Sequence, residues 1–508
     1  MRQGDLHGGL DPLTRRRLES LAVVAIVAGA ALLRLWDLGH QPGGLYPDEA
    51  AEALDAHRLL TEPGFHPVFF QDDAGREALY GYLVAIAFRV FGESVTVLRG
   101  TSAVIGVLAV VAVYAWLRRR GPAVALGAAG WTAGALWLVC ISRDGMRNVL
   151  VPVTAAVALW AMTAWAEHPT ARRAALAGAA MALGLWTYQP LKLLPILLVA
   201  WLIWTRTQDR RRWEALRPLL GWLALGYVVV GAPMIYTAVT DTGHYFGRAV
   251  AVTAGSAATG GTGILEHTAR TLLMFAVTGD PNPRHDVGAL PLLGWPMTAL
   301  ALLGAVAAWR KRAEPFQSLL LLALPVFLVP PLVATADAAP HFLRSLGLAA
   351  PLAALVGLGT AEALRLSRPW APKFLSASIV TLLILGVGGA SGAAYFDRPQ
   401  ADTFDAYSGN VVQLARLATT EDLNVVLVDD YRSTVVRFLD ASAVAGRRTV
   451  IADPVPRPVP TPAQGQTCQV LALSRDDVAR AYGTVYGYRT APVAYGPDGR
   501  PSVWKTDC

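Results

Sequence analysis

The chain has 508 residues, 54% of them apolar and 16% charged, with a mean hydropathy of +0.40 and a formal net charge of +7. Soluble proteins carry about 25% charged residues, so this composition excludes a soluble enzyme and a disordered tail protein. A basic balance points to nucleic acid only when the basic residues cluster on one soluble face, so their positions decide what the charge means.

Apolar runs recur at 18–36, 95–117, 123–142, 148–166, 172–189, 191–205, 216–237, 292–309, 316–335, 341–363 and 374–394. Most are long enough to cross roughly 30 Å of hydrocarbon, which predicts a polytopic α-helical membrane protein of about eleven transmembrane helices. The first run follows Arg15-Arg16-Arg17. It is too long for a signal peptide and lacks a clear cleavage site, so a retained anchor is expected. With the N-terminus in the cytoplasm and the spans alternating, the inner segments hold 20 Lys/Arg against 8 acidic residues, a net of +12, and the rest of the chain carries −5. Such an asymmetry is the positive-inside pattern. The +7 is therefore a topology signal, and no nucleic-acid partner is expected. The expected location is the plasma membrane, multi-pass, with outer loops at 37–94 and 238–291 and an extracytoplasmic tail at 395–508.

The first outer loop holds ten acidic residues and three arginines. Within it, Pro47-Asp48-Glu49 opens a predicted helix, where proline at the first position and acids in the first turn suit the helix dipole. Asp48, Glu52 and Asp55 can share one face at helical spacing. A solvated, capped helix would show the same pattern. The position just beyond a span ending in Arg34 and Trp36 favours instead a carboxylate that accepts a proton at the membrane surface. Leu79 to Phe91 is a further amphipathic piece, too short to span comfortably and suited to the interface.

Cations at the outer ends of spans run against the charge bias. Arg143 and Arg147 flank Asp144-Gly145-Met146, Lys192 opens the sixth run, and Arg344 lies near the start of the tenth. Guanidinium groups match phosphate oxygens bidentately, so Arg143 and Arg147, with Lys192, are the expected ligands of a lipid phosphate. Tyr188 sits at the same level, suited to anchoring at the interface or to contact with substrate. The second outer loop carries a Gly/Ala/Thr-rich run and then Asp280-Pro281-Asn282-Pro283-Arg284-His285-Asp286, which is turn chemistry. His285 is a candidate acceptor contact. Paired with Asp286 it leaves a divalent cation open, although no metal site and no tightly bound cofactor are expected.

The tail loses the long apolar runs. Strands are predicted at 424–428, 449–451 and 470–473, with helices after the first strand and at 475–482. Alternating prolines from Pro454 to Pro462 form an extended connector. This reads as a small C-terminal extracytoplasmic α/β accessory domain at 395–508, following a catalytic membrane domain at 1–394. Cys468 and Cys508 either pair or remain thiols, and three cysteines in all do not make a disulfide framework.

The order of several short motifs carries a resemblance. Arg34, Leu38-Gly39, Pro42, Asp48-Glu49, Gly81-Tyr82, Phe91-Gly92 and Arg99 are followed by Ser142 to Arg147, by Trp186 to Pro190 and by Pro340 to Arg344. Over roughly residues 18–395 the chain resembles the polyprenyl-phosphate-sugar-dependent membrane glycosyltransferases of GT-C fold, the group of the protein O-mannosyltransferases and the lipid A aminoarabinose transferase. The resemblance implies Asp48 as the essential carboxylate; Glu49 is expected to support it or contact the sugar, and Tyr82, Glu77, Tyr188 and His285 are candidate acceptor or sugar contacts. It also implies transfer of a monosaccharide from a polyprenyl-phosphate donor to a hydroxyl of a glycan, lipid or protein at the outer face, with inversion. The chain departs from the aminoarabinose transferases at Arg76-Glu77-Ala78, where they have Glu-Lys-Pro. A transporter of a lipid-linked substrate would need internal repeats and broken helices at the midplane, and a non-catalytic envelope scaffold would be indifferent to Asp48.

Overall fold

The computed structural model describes residues 12–72, 75–254, 261–334, 338–367, 369, 373–417, 423–441, 448–452, 468–482 and 490–507. The chain begins with α1 (Pro12–Leu35), which leads through a turn into α2 (Pro47–Thr61). A two-strand hairpin follows, β1 (Phe69–Phe70) and β2 (Arg76–Glu77), and then α3 (Leu79–Phe91). Next comes α4 (Val95–Leu117), whose first turn is closed by Ser94, its hydroxyl accepting from the Val97 N–H at 3.2 Å. Ser at this position satisfies an N–H that the helix itself cannot. The bundle continues through α5 (Pro122–Gly134), α6 (Leu136–Ser142), α7 (Leu150–Glu167), α8 (Ala171–Ala182), α9 (Leu194–Gln208), α10 (Arg210–Leu216) and α11 (Leu220–Thr240). It is completed by α12 (Thr242–Ala254), α13 (Gly261–Leu273), α14 (Gly294–Arg310), α15 (Pro315–Val333), α16 (Ala349–Ser367) and α17 (Lys373–Phe396).

Among the described residues eight helices are long and apolar enough to cross a membrane, or nine if α5 and α6, bent by 59°, count as one span. Two of the eleven expected runs fall short of that length: 172–189 forms α8, of 12 residues, before a 3-10 turn, and 292–309 forms α14, of 17. The polypeptide breaks or shortens where an apolar run looked continuous. Apolar side chains such as Val229 on α11 and Leu382 on α17 are about two-thirds exposed, as lipid-facing residues are.

Both short helices are nonetheless tightly held. A Cβ at Gly178 on α8 would overlap the Leu223 carbonyl of α11, and one at Gly359 on α16 would overlap the Leu300 carbonyl of α14. Between helices in lipid, small residues that let backbones approach replace the hydrophobic effect as the source of cohesion. Gly359→Val is expected to cost at least ~1–3 kcal/mol by overpacking. Gly386→Val on α17, with nothing within 4 Å, should change little. Thermal unfolding in detergent compares the two, and equal midpoints would refute the close-approach argument.

After α17 come α18 (Gln400–Phe404), α19 (Gly409–Leu417), β3 (Leu423–Leu427), α20 (Asp430–Ala441), β4 (Arg448–Ala452), β5 (Cys468–Ala472), α21 (Arg475–Tyr482), β6 (Ala491–Tyr495) and β7 (Pro501–Asp507). The sheet order is β4-β3-β5-β7-β6, with β3 parallel to β4 and β5, and β7 antiparallel to β5 and β6. The three strands expected from continuous apolar runs are the parallel ones, as buried parallel strands should be. The pair β6–β7, exposed on one face, was missed. The proline-rich connector 454–462 and Cys508 lie outside the described residues. Among the described residues the sheet shares its buried cluster with helices α2 and α3. Val435 and Leu471 belong to the same buried cluster as Ala50 and Ala53 of α2 and Val84 of α3, and Phe88 stacks on Phe438 with ring centroids 6.1 Å apart.

Candidate functional site

Helix α2 carries four acids, Asp48, Glu49, Glu52 and Asp55, all 5% exposed or less. Uncompensated buried carboxylates are too costly to persist, so their partners explain the arrangement. Glu49 takes four N–H donors: Arg99 Nε at 2.9 Å and Nη2 at 2.8 Å, Gly145 N at 2.7 Å and Tyr46 N at 3.1 Å. Burial pushes its carboxyl up, but Arg99 and these hydrogen bonds hold it below the usual range. Glu52 accepts from Arg147 Nη1 at 2.7 Å. Glu77 accepts from Arg147 Nε at 3.2 Å and lies 3.0 Å from Lys192 Nζ. Asp55 accepts from Arg76 Nη2 at 2.6 Å, and burial still pushes its pKa up to about 7.

Asp48 has a different setting. It lines a cavity of about 140 Å³ together with Arg147, Arg284, Arg344, Tyr188 and His285. The Arg284 guanidinium lies 3.5 Å above the Tyr46 ring, and among the described residues no carboxylate is within ion-pair distance of it. Arg344 Nη1 donates to the Tyr188 hydroxyl at 2.9 Å. On the other side, the Tyr431 hydroxyl, from the first turn of α20, lies 2.7 Å from both Asp48 Oδ1 and Tyr46 Oη. Burial and the Asp48 charge push that phenol above its ordinary pKa, so it stays protonated beside the carboxylate.

His285 is fully buried, with Nδ1 2.9 Å from Asp280 Oδ2 and Nε2 without a hydrogen-bond partner. Burial lowers its pKa against the pull of Asp280, so the imidazole is neutral, with Nδ1–H donating and Nε2 bare. Asp280, His285 and His341 place ligand atoms within 4.8 Å of one another, and this N/O donor set suits a zinc-class cation. Asp280 already accepts from Asn282 N at 2.8 Å and Phe342 N at 2.7 Å. The expected partner, Asp286, is not part of this set; burial raises its carboxyl to about 8.

Five of the residues singled out by sequence therefore meet around one cavity: Asp48, Arg147, Tyr188, His285 and Arg344. Glu77 and Lys192 stand behind Arg147, and the Lys192 ammonium lies 3.8 Å from the Tyr245 ring centroid instead of lining the cavity. Tyr82 points elsewhere, donating to the Pro67 carbonyl at 3.1 Å. Two further residues are held away from the cavity. Glu49 has both oxygens saturated by donors and has no lone pair left for substrate. Arg143 donates to the carbonyls of Leu33 at 3.0 Å, Trp36 at 2.7 Å and Gln41 at 2.9 Å and lies over Tyr395 and Phe396, so it closes the end of α1 instead of holding a phosphate. Sequence reasoning missed Arg284, His341 and Tyr431. Arg284 lies next to the singled-out His285, yet nothing in a turn-rich segment marks it as facing a cavity.

A family model described as dolichyl-phosphate-mannose-protein mannosyltransferase matches residues 77–236, a stretch that begins beyond Asp48. No curated protein sequence matches the chain. Among solved structures, ArnT from Cupriavidus metallidurans in the apo state is similar with a TM-score of 0.55 and 14% identity, over 97% of this chain and 98% of that one. The same protein bound to undecaprenyl phosphate gives a TM-score of 0.52 and 13% identity over 98% of both chains. The Archaeoglobus fulgidus oligosaccharyltransferase, solved in complex with Zn and sulfate, gives a TM-score of 0.55 and 13% identity over 94% of this chain and 72% of that one. By this shared architecture and by the family match over its central helices, the chain is a multi-pass membrane protein of the GT-C glycosyltransferase fold.

Proposed function

We propose that the protein transfers a monosaccharide from a polyprenyl-phosphate donor to a hydroxyl acceptor at the outer membrane face, inverting the anomeric centre. The observation that carries this reading is the shared cavity: one carboxylate, Asp48, facing the guanidinium groups of Arg147, Arg284 and Arg344. The acceptor hydroxyl gives its proton to Asp48 as its oxygen bonds to the anomeric carbon. The bond from that carbon to the phosphate oxygen breaks, and polyprenyl phosphate leaves with the electron pair. Charge develops on the phosphate, so guanidinium groups fixed around it stabilise the transition state more than the ground state. Arg284, which forms no ion pair among the described residues, is the strongest candidate for that contact. Arg147 is oriented by Glu52 and Glu77, which Lys192 supports in turn. The structure of ArnT with undecaprenyl phosphate on the same fold supports a polyprenyl-phosphate donor. The charge split of the sequence supports the outer face, with residues 1–394 catalytic and 395–508 on the acceptor side.

The test is to incubate the purified chain in lipid nanodiscs with a panel of polyprenyl-phosphate monosaccharides and follow release of polyprenyl phosphate. Arg284→Ala is expected to slow release by about 10²–10³-fold, the usual loss when one donor to a developing oxyanion is removed. No release from any donor, or wild-type rates in the variant, would overturn the reading.

A further inference from the structure

A second cavity adjoins Asp48 on the side away from Arg284, with a volume of about 560 Å³. This falls within the ~300–1,000 Å³ of small-molecule sites. It lies between α2, the β1–β2 hairpin and α20. Its notable wall is Arg76, 2% exposed, whose Nη2 reaches Asp55 while Nε and Nη1 are buried without a hydrogen-bond partner. Leaving such donors unsatisfied costs free energy that a ligand oxygen in the cleft would recover. Arg76 pairs with Asp55, Arg58 with Asp72 at 3.5 Å and Arg437 with Asp430 at 3.6 Å, and Asp48 adds a fourth carboxylate to the wall. The first cavity differs, for among the described residues its lining carries three guanidinium groups to one carboxylate. The second cleft presents carboxylates that accept, guanidinium groups that donate and little net charge. Pro47, Ala51, Leu54 and the Tyr431 ring supply its apolar surface.

The cleft meets Asp48 at Tyr431, whose hydroxyl already sits 2.7 Å from Asp48 Oδ1, the distance at which a hydroxyl donates to a carboxylate. We propose that this cleft is the acceptor subsite and that it takes an uncharged, polyhydroxylated glycan, one hydroxyl of which replaces the Tyr431 phenol at Asp48. The assignment as acceptor subsite rests on the transferase reading above; the glycan-binding assignment does not. Sugar hydroxyls both donate and accept, which suits a wall of paired guanidinium and carboxylate groups, whereas a phosphate would meet four carboxylates there.

Saturation-transfer NMR on the full chain in nanodiscs, with short neutral glucan, mannan, galactan and arabinan oligosaccharides as probes, tests the cleft directly. Wild type is expected to bind at least one of them. Arg76→Gln, and Thr434→Trp, which fills the cleft from α20 without touching the Arg76–Asp55 pair, should each weaken that binding about tenfold or more. The proposal is overturned if no oligosaccharide binds, if Thr434→Trp binds as wild type does, or if a Ser/Thr-rich peptide occupies the cleft in their place. Donor turnover in the same samples separates the two readings. Polyprenyl-phosphate release without glycan binding removes the cleft assignment alone, and glycan binding without release from any donor removes the transferase reading alone.

Discussion

Asp48→Asn is expected to lower sugar transfer by roughly 10²–10⁴-fold, the range assigned to a positioned general base, while leaving the folded protein intact. Asparagine keeps the shape and an oxygen for Tyr431 but cannot take the acceptor proton. Among the described residues Asp48 is the acid that lines the cavity with Arg147, Arg284 and Arg344, so its loss should not weaken capture of the lipid phosphate. The expected signature is thus a fall in kcat with donor KM unchanged or lowered, and an unaltered thermal midpoint. A variant that still transfers sugar at the wild-type rate would remove Asp48 from the chemistry. A variant that no longer folds would give it the role assigned here to its neighbour.

Glu49→Ala is expected to act on the fold. It leaves Arg99, 1% exposed, as a buried charge without its carboxylate and strips Gly145 N and Tyr46 N of an acceptor. Breaking one side of a buried pair costs about 3–5 kcal/mol. Total stabilities are only about 5–15 kcal/mol, so a large drop in unfolding temperature and in recovered protein should follow. The double variant Glu49→Leu with Arg99→Met removes both charges and should regain part of the loss, since an apolar replacement of both partners avoids the stranded charge. A Glu49→Ala protein as stable as wild type, with transfer abolished, would return Glu49 to catalysis. The adjacent substitutions thus separate chemistry from architecture by which measurement moves.

Much of the scaffold was legible because its causes are local or additive. Hydrocarbon thickness sets the length of an apolar run, and the parallel strands of the tail are continuous apolar segments. Helix lengths within the apolar runs were less legible, because backbone breaks depend on neighbours: α8 and α14 are short helices held by glycine contacts across the bundle. The pair β6–β7 gave no alternation strong enough to read. The boundary expected at residue 394 follows a change in composition, but buried residues of α2, α3 and α20 form one cluster across it.

The site divides along the same line. That acids open α2 beside an arginine-rich set of helix ends follows from the residues alone, because charge this close to a membrane must be compensated or used. Which acid does which job does not follow. Asp48 and Glu49 are neighbours in sequence yet about 100° apart around the helix, so one faces a cavity and the other faces Arg99, 50 residues on. The sequence points to Arg143 as a phosphate ligand and gives no sign of Arg284. One closes the end of α1 through carbonyls more than a hundred residues away, and the other reaches the cavity from a loop without recognisable pattern. A charged side chain's role depends on what lies within a few ångströms of it, and in this bundle those neighbours come from helices far apart in the chain.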